Sequence, residues 1–124
     1  GAPDTRNKLI TEGKFVTHGI LFDVNSDRIK PESYGAIKDI ANVFNENGTV
    51  HVKIIGHTDS DGDDKTNLAL SKKRAESVKS TLIKDFGIDA SRLSTDGKGE
   101  SVPMDKNASP EGKANNRRVE FVKE

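Results

Sequence analysis

Two switches of hydrophobic period between residues 37 and 86 constrain this chain most. Ile37, Ile40, Ala41 and Phe44 recur at i, i+3, i+4 and i+7, the spacing of one helix face. Val50, Val52 and Ile54 then alternate with Thr49, His51 and Lys53, the period of a half-buried strand. A second helical stripe follows at Leu68, Ser71, Ala75, Val78, Leu82 and Phe86. The punctuation agrees. Pro31 suits a first helical turn, while Asn47-Gly48 and Gly87 supply stops. Asp64 or Thr66 is the expected cap of the second helix. Upstream, Phe15-Val16 through Ile20-Leu21-Phe22 reads as one strand ending at Asp23. Downstream, Leu93 opens a strand stopped by Gly97 and Gly99. A short helix over 111–115 and a last strand over 117–122 complete the chain. The order β-α-β-α-β-(α)-β predicts an α+β two-layer sandwich, with helices packed on one side of a mixed sheet.

The chain has 124 residues, which fits one domain. Residues 1–14 are polar apart from Leu9 and Ile10 and are read as a linker or tail; the domain is placed at 15–124. The start, Gly1-Ala2-Pro3, reads as cut from a longer chain, with an anchor expected upstream. Lys plus Arg number 20 and Asp plus Glu 20, a net charge of zero that argues against a phosphate-tracking nucleic-acid binder. No run of 18 apolar residues offers a membrane-spanning helix. The absence of Cys removes disulfides, thiol catalysis and Cys-ligated metals.

The acidic stretch 59–64 invites a metal test. Placing Gly62 at the sixth position of an EF-hand loop puts His57 at the first and Leu68 at the twelfth, and both fail. His57 and Asp59 have no third ligand spaced to join them. A capping turn rich in Asp explains the stretch instead. No phosphate-binding loop and no nucleophile elbow is present, and His18, His51 and His57 are scattered. Neither an enzyme nor a cofactor or metal site is expected.

One acid, one amide and one guanidinium are more informative. Asp59 sits where the strand over 50–54 leaves the sheet, and Asn67, Ser71 and Arg74 follow on the second helix. At about 100° per residue those three share roughly 60° of arc, edging the stripe that faces the sheet. Spacing alone leaves two readings open. One is a structural Asp59–Arg74 ion pair, worth about 0–1 kcal/mol if exposed. The other is a bipolar ligand site.

The stretch Gly56-His57-Thr58-Asp59-x-x-Gly62, then Asn67-x-x-Leu70-Ser71-x-x-Arg74-Ala75, resembles the central motif of the OmpA-like peptidoglycan-binding domains. These occur in outer-membrane proteins of that type, peptidoglycan-associated lipoproteins and flagellar stator proteins. The flanks agree: Phe22-Asp23-x-Asn25-Ser26, Ile29-x-Pro31, Gly97-x-Gly99-Glu100 and Asn116-Arg117-Arg118-Val119-Glu120 match in order. Lys113 stands where the family commonly has Arg. The resemblance implies a non-enzymatic periplasmic module of an outer-membrane-associated protein. Its ligand would be the diaminopimelate residue of the peptidoglycan stem peptide. Asp59 would hold the ligand ammonium and Arg74 the carboxylate. Supporting contacts would fall on Asn25, Thr58, Asn67 and Arg117, with backbone groups around Asp61 and Gly62. The alternative is an envelope protein–protein interaction module on the same scaffold. An Arg fork suits a carboxylate better than Lys because it can bind bidentately.

Overall fold

The computed structural model describes residues 8–124. Its elements are β1 (Lys14–Thr17), α1 (Tyr34–Glu46), β2 (Val52–His57), α2 (Asp64–Phe86), β3 (Leu93–Gly99), α3 (Pro110–Asn116) and β4 (Arg118–Lys123). Pro31–Ser33 form a 3-10 turn that leads into α1, the place where a proline without an N–H costs no helix bond. The four strands lie in the order β1-β4-β2-β3. β2 and β3 are parallel, and β4 runs antiparallel to both β1 and β2. The expected α+β sandwich with a mixed sheet is the observed architecture.

Periodicity explains the core. Ile37, Ile40, Ala41 and Phe44 of α1 meet Ala75, Val78 and Leu82 of α2 over Val52, Ile54, Val119 and Phe121 of the sheet, all buried in one cluster. β4, last in sequence, is central in space, so Phe121 is fully buried although it lies three residues before Glu124. Gly87 closes α2 in the left-handed conformation (φ 68°).

Four expectations change. The first strand stops at Thr17 instead of reaching Asp23. Thr17 pairs with Val119, and β4 begins one residue earlier, so residues 18–22 have no ladder partner in the sheet. They fold back instead: Phe22 bridges Ile29, and Lys30 N donates to Leu21 O at 2.8 Å. Secondly, residues 8–14 are no tail. Leu9 is fully buried in the core, residues 8–12 are helical, and Lys123 N donates to Gly13 O. One helical turn is too short to show a period, which is why the sequence hid it. Residues 1–7 of the expected linker lie outside the described residues.

Thirdly, Leu68 is 41% exposed, and the buried positions of the first turns of α2 are Asn67 and Ser71. α2 lies so close to the sheet here that a Cβ at Gly56 would strike the Ser71 carbonyl and one at Gly97 the Lys72 amide. Only small or polar groups fit, and Ser71 Oγ accepts from Gly99 N at 2.9 Å. Fourthly, the cap of α2 is Asp63, whose carboxylate accepts from Thr66 N at 3.0 Å, rather than Asp64 or Thr66.

Candidate functional site

β2 and β3 end together, β4 begins beside them, and α2 starts above them. A cavity of about 490 Å³ opens there, walled on the far side by the loop between β1 and α1. Ligand sites commonly form where parallel strands end at such a crevice.

Asp59 leaves the end of β2 and is only 7% exposed. One carboxylate oxygen accepts from Asp61 N at 2.9 Å, and the other pairs with the Arg117 guanidinium. Arg117 precedes β4 and its side chain is half exposed. Arg74, nearly three turns into α2, does not pair with Asp59. Its Nε donates to Ser26 O at 2.9 Å and its Nη2 to Asp23 O at 3.3 Å. Its guanidinium carbon lies 4.9 Å from the centre of the Phe22 ring. The structural Asp59–Arg74 ion pair is therefore absent, and the two groups line one cavity with separate anchors. Burial lowers the Arg74 pKa from its ordinary value; Asp59 opposes that shift and Arg117 adds to it.

Asn67 organises the loop between β2 and α2. Its amide donates to Asp61 O at 2.9 Å, to Glu100 Oε1 at 3.1 Å and to Asp59 O at 3.4 Å. That hydrogen bond favours ionised Glu100, but Asp64, desolvation and Asp59 outweigh it, so the carboxyl's pKa is raised. Thr58 N donates to Gly99 O at 2.8 Å, tying the strand ends together, and Thr58 Oγ1 donates to Asp59 O. Asn25 is exposed, lines the cavity and holds φ 53°, a conformation that Asn tolerates better than most side chains. Asp61 lines the rim and pairs with Lys113 at 2.9 Å. Gly62 is not part of the lining; it supplies the left-handed turn (φ 89°) that follows Asp61.

Sequence reasoning missed several contributors. The carbonyls of Asp23 and Ser26 carry no side-chain signal, yet they aim Arg74. Lys30 lines the cavity from the far wall. Asn116 is fully buried; its Oδ1 accepts from the amides of Met104 and Asp105, and its Nδ2 donates to Asp105 O and Asn107 Oδ1. Asn107 Oδ1 in turn accepts from Ser60 N, so one amide fastens the loop after β3 to the loop bearing Asp59. The Asn116-Arg117-Arg118-Val119-Glu120 match was the available signal, but it assigned Asn116 no role, and spacing does not distinguish a buried Asn from an exposed one.

This cleft and its motif coincide with a family match: the OmpA family model covers residues 21–117. The chain belongs to the OmpA family. It is 44% identical over 101 residues to outer membrane porin F of Pseudomonas fluorescens, covering 82% of this chain and 31% of that protein. It is 43% identical over 105 residues to the probable lipoprotein YiaD of Escherichia coli, covering 85% of this chain and 48% of the relative. This OmpA-family chain thus spans about a third to a half of those curated relatives. Among solved structures, the periplasmic domain of Helicobacter pylori MotB superposes with TM-score 0.75 at 28% identity, covering 89% of this chain and 73% of that one. The cell wall anchor of the T6SS from Pseudomonas aeruginosa gives TM-score 0.75 at 26% identity, covering 99% and 96%. Among the described residues no helix is long and apolar enough to cross a membrane.

Proposed function

We propose that this OmpA-family domain binds peptidoglycan non-covalently through the free end of diaminopimelate, tethering an outer-membrane-associated protein to the wall from the periplasm. Asp59 takes the ammonium and Arg74 the carboxylate, with Thr58, Asn67, Asn25, Arg117 and the Asp61–Gly62 backbone shaping the pocket. The observation that carries this reading is the separate anchoring of Arg74. Backbone carbonyls and the Phe22 ring hold its guanidinium in the cavity that Asp59 also lines, while no carboxylate among the described residues pairs with it. A zwitterion with its two charges a few ångströms apart matches that arrangement. The nearby N-terminus of α2 adds partial positive charge toward the same end of the sheet. The structural likeness to the cell wall anchor of the T6SS supports the polymer as the partner.

Specificity follows from the fork. A lysine-type stem peptide lacks the far carboxylate and leaves Arg74 without a charged partner. Losing such a hydrogen bond costs about 1.5–3 kcal/mol, or roughly 10–150-fold in affinity. Calorimetric titration with free diaminopimelate, paired with pull-down on insoluble wall, tests the reading. Binding by the wild type that disappears in Asp59→Ala and Arg74→Ala is the expected result. Equal pull-down by Arg74→Ala would sink the anchor assignment.

A further inference from the structure

The cavity lining is not balanced in charge. Lys30, Arg74, Arg117 and Arg118 line it as cations, Asp59 and Asp61 as anions. Asp61 already faces Lys113. Arg118 donates to the carbonyls of Asn116 and Val102 and has Glu120 nearby. Asp59 holds Arg117. That leaves Arg74, which meets carbonyls rather than a carboxylate, and Lys30, which has no ion-pair partner among the described residues. Asp27 acts on Arg74 through space but lines a different groove.

A simple zwitterion does not answer this surplus. Its carboxylate suits Arg74. Its ammonium reaches Asp59 only by sharing or displacing Arg117. The Arg117 side chain is 50% exposed, so it is free to turn. Once displaced, Arg117 is a second cation without a partner, facing the same cavity as Lys30. Two uncompensated cations in a half-enclosed cleft attract an anion, since field lines concentrate where water is partly excluded.

We propose that the site takes a second carboxylate of the ligand on Lys30 and Arg117, so that its substrate class is a peptide with one primary ammonium and two carboxylates. This rests on the assignment of Asp59 and Arg74 above. Binding is then an exchange: the ligand ammonium replaces Arg117 on Asp59, and Arg117 moves onto the added carboxylate. Amidation of the wall peptide at that carboxylate weakens binding without touching the diaminopimelate end. Two carboxylates of a stem tripeptide supply this chemistry: that of the acidic residue preceding diaminopimelate and that of the C-terminus.

Calorimetry with four tripeptides tests the proposal: the parent, each single amide and the double amide. In the wild type, one single amidation is expected to weaken binding about fivefold, the size of a well-placed, partly exposed ion pair. Which amide does so names the source. Lys30→Gln is expected to bind the parent more weakly than the wild type does, and to respond less to that amidation, with Arg117 retaining the rest of the contact. Its fold is preserved, because Lys30 holds Leu21 and Ser33 through backbone groups that Gln keeps. If all four peptides bind the wild type equally, the second-carboxylate site is overturned and the Asp59–Arg74 assignment stands. If neither the parent tripeptide nor free diaminopimelate binds, that assignment falls and takes this proposal with it.

Discussion

Arg74 and Arg92 are anchored alike at opposite ends of the sheet. Each guanidinium lies over a phenylalanine ring, Phe22 at 4.9 Å and Phe44 at 4.8 Å. Each donates to carbonyls of a distant loop. Arg92 reaches those of Phe44, Asn47 and Val50, where α1 ends and the chain turns toward β2. Arg74 reaches those of Asp23 and Ser26, in the wall of the cavity. The surroundings differ. Phe44 is fully buried and Val50 nearly so, so water cannot easily replace the Arg92 donor. Asp23 and Ser26 are half-buried in the loop between β1 and α1, and Asp59 lines the same cavity as Arg74. The same anchoring serves as a staple where the carbonyls it binds belong to buried residues, and as part of a cavity lining where they belong to a half-buried loop.

Mutation should separate the two ends. Arg92→Ala is expected to lower unfolding free energy by about 3 kcal/mol, through carbonyls left without donors and a lost ring contact. Urea titration measures this, and the affinity of the folded fraction for diaminopimelate should not change. Arg74→Ala should show the reverse balance: about 2 kcal/mol lost in binding and about 1 kcal/mol or less in stability. Equal destabilisation by the two substitutions would break the comparison. Asn67→Ala is expected to cost about 1 kcal/mol in affinity by loosening the loop that holds Asp59, read as a faster off-rate.

The smallest effect concerns His57, whose ring is buried beneath the cleft with Nε2 3.0 Å from Glu120 Oε1 and Nδ1 without a partner. Burial pushes its pKa below the ordinary 6.5, against the pull of Glu120. The unfolded chain then binds the proton more readily, so this contribution is present above pH 6.5 and is lost as pH falls below it. His57→Gln should flatten the stability profile in that window while leaving Arg92→Ala as damaging as before. Glu120 acts lower: desolvation raises its pKa, but Lys14 and His57 outweigh that, and its contribution fades as pH falls below the ordinary 4.5.

Much of the fold was legible because burial writes a period. α1, β2 and the stop at Gly87 are stripes and punctuation in the sequence. The misses share one cause, which is that partners distant in sequence decide them. Residues 18–22 are apolar enough for a strand, but β4 offers them no edge. Leu9 is buried by elements that follow it, and Leu68 is exposed because the sheet's glycines draw the α2 backbone too close for a large side chain. In the site, Asp59, Asn67 and Arg74 were legible from motif and helix spacing. The carbonyls that orient Arg74 were not, since every residue has one.

The sequence by itself determined the α+β order, the position of Asp59 at a strand end and the placement of Asn67 and Arg74 on one helix face. Those follow from local periodicity and from the geometry of a single element. Only the tertiary structure decided that Asp59 pairs with Arg117 rather than Arg74, and that Arg92 gathers the carbonyls of Phe44, Asn47 and Val50. It also brought Lys30 to the cavity wall. A guanidinium or ammonium pairs with whatever acceptor packing brings within reach, and that depends on how β4 and the β1–α1 loop close around the sheet.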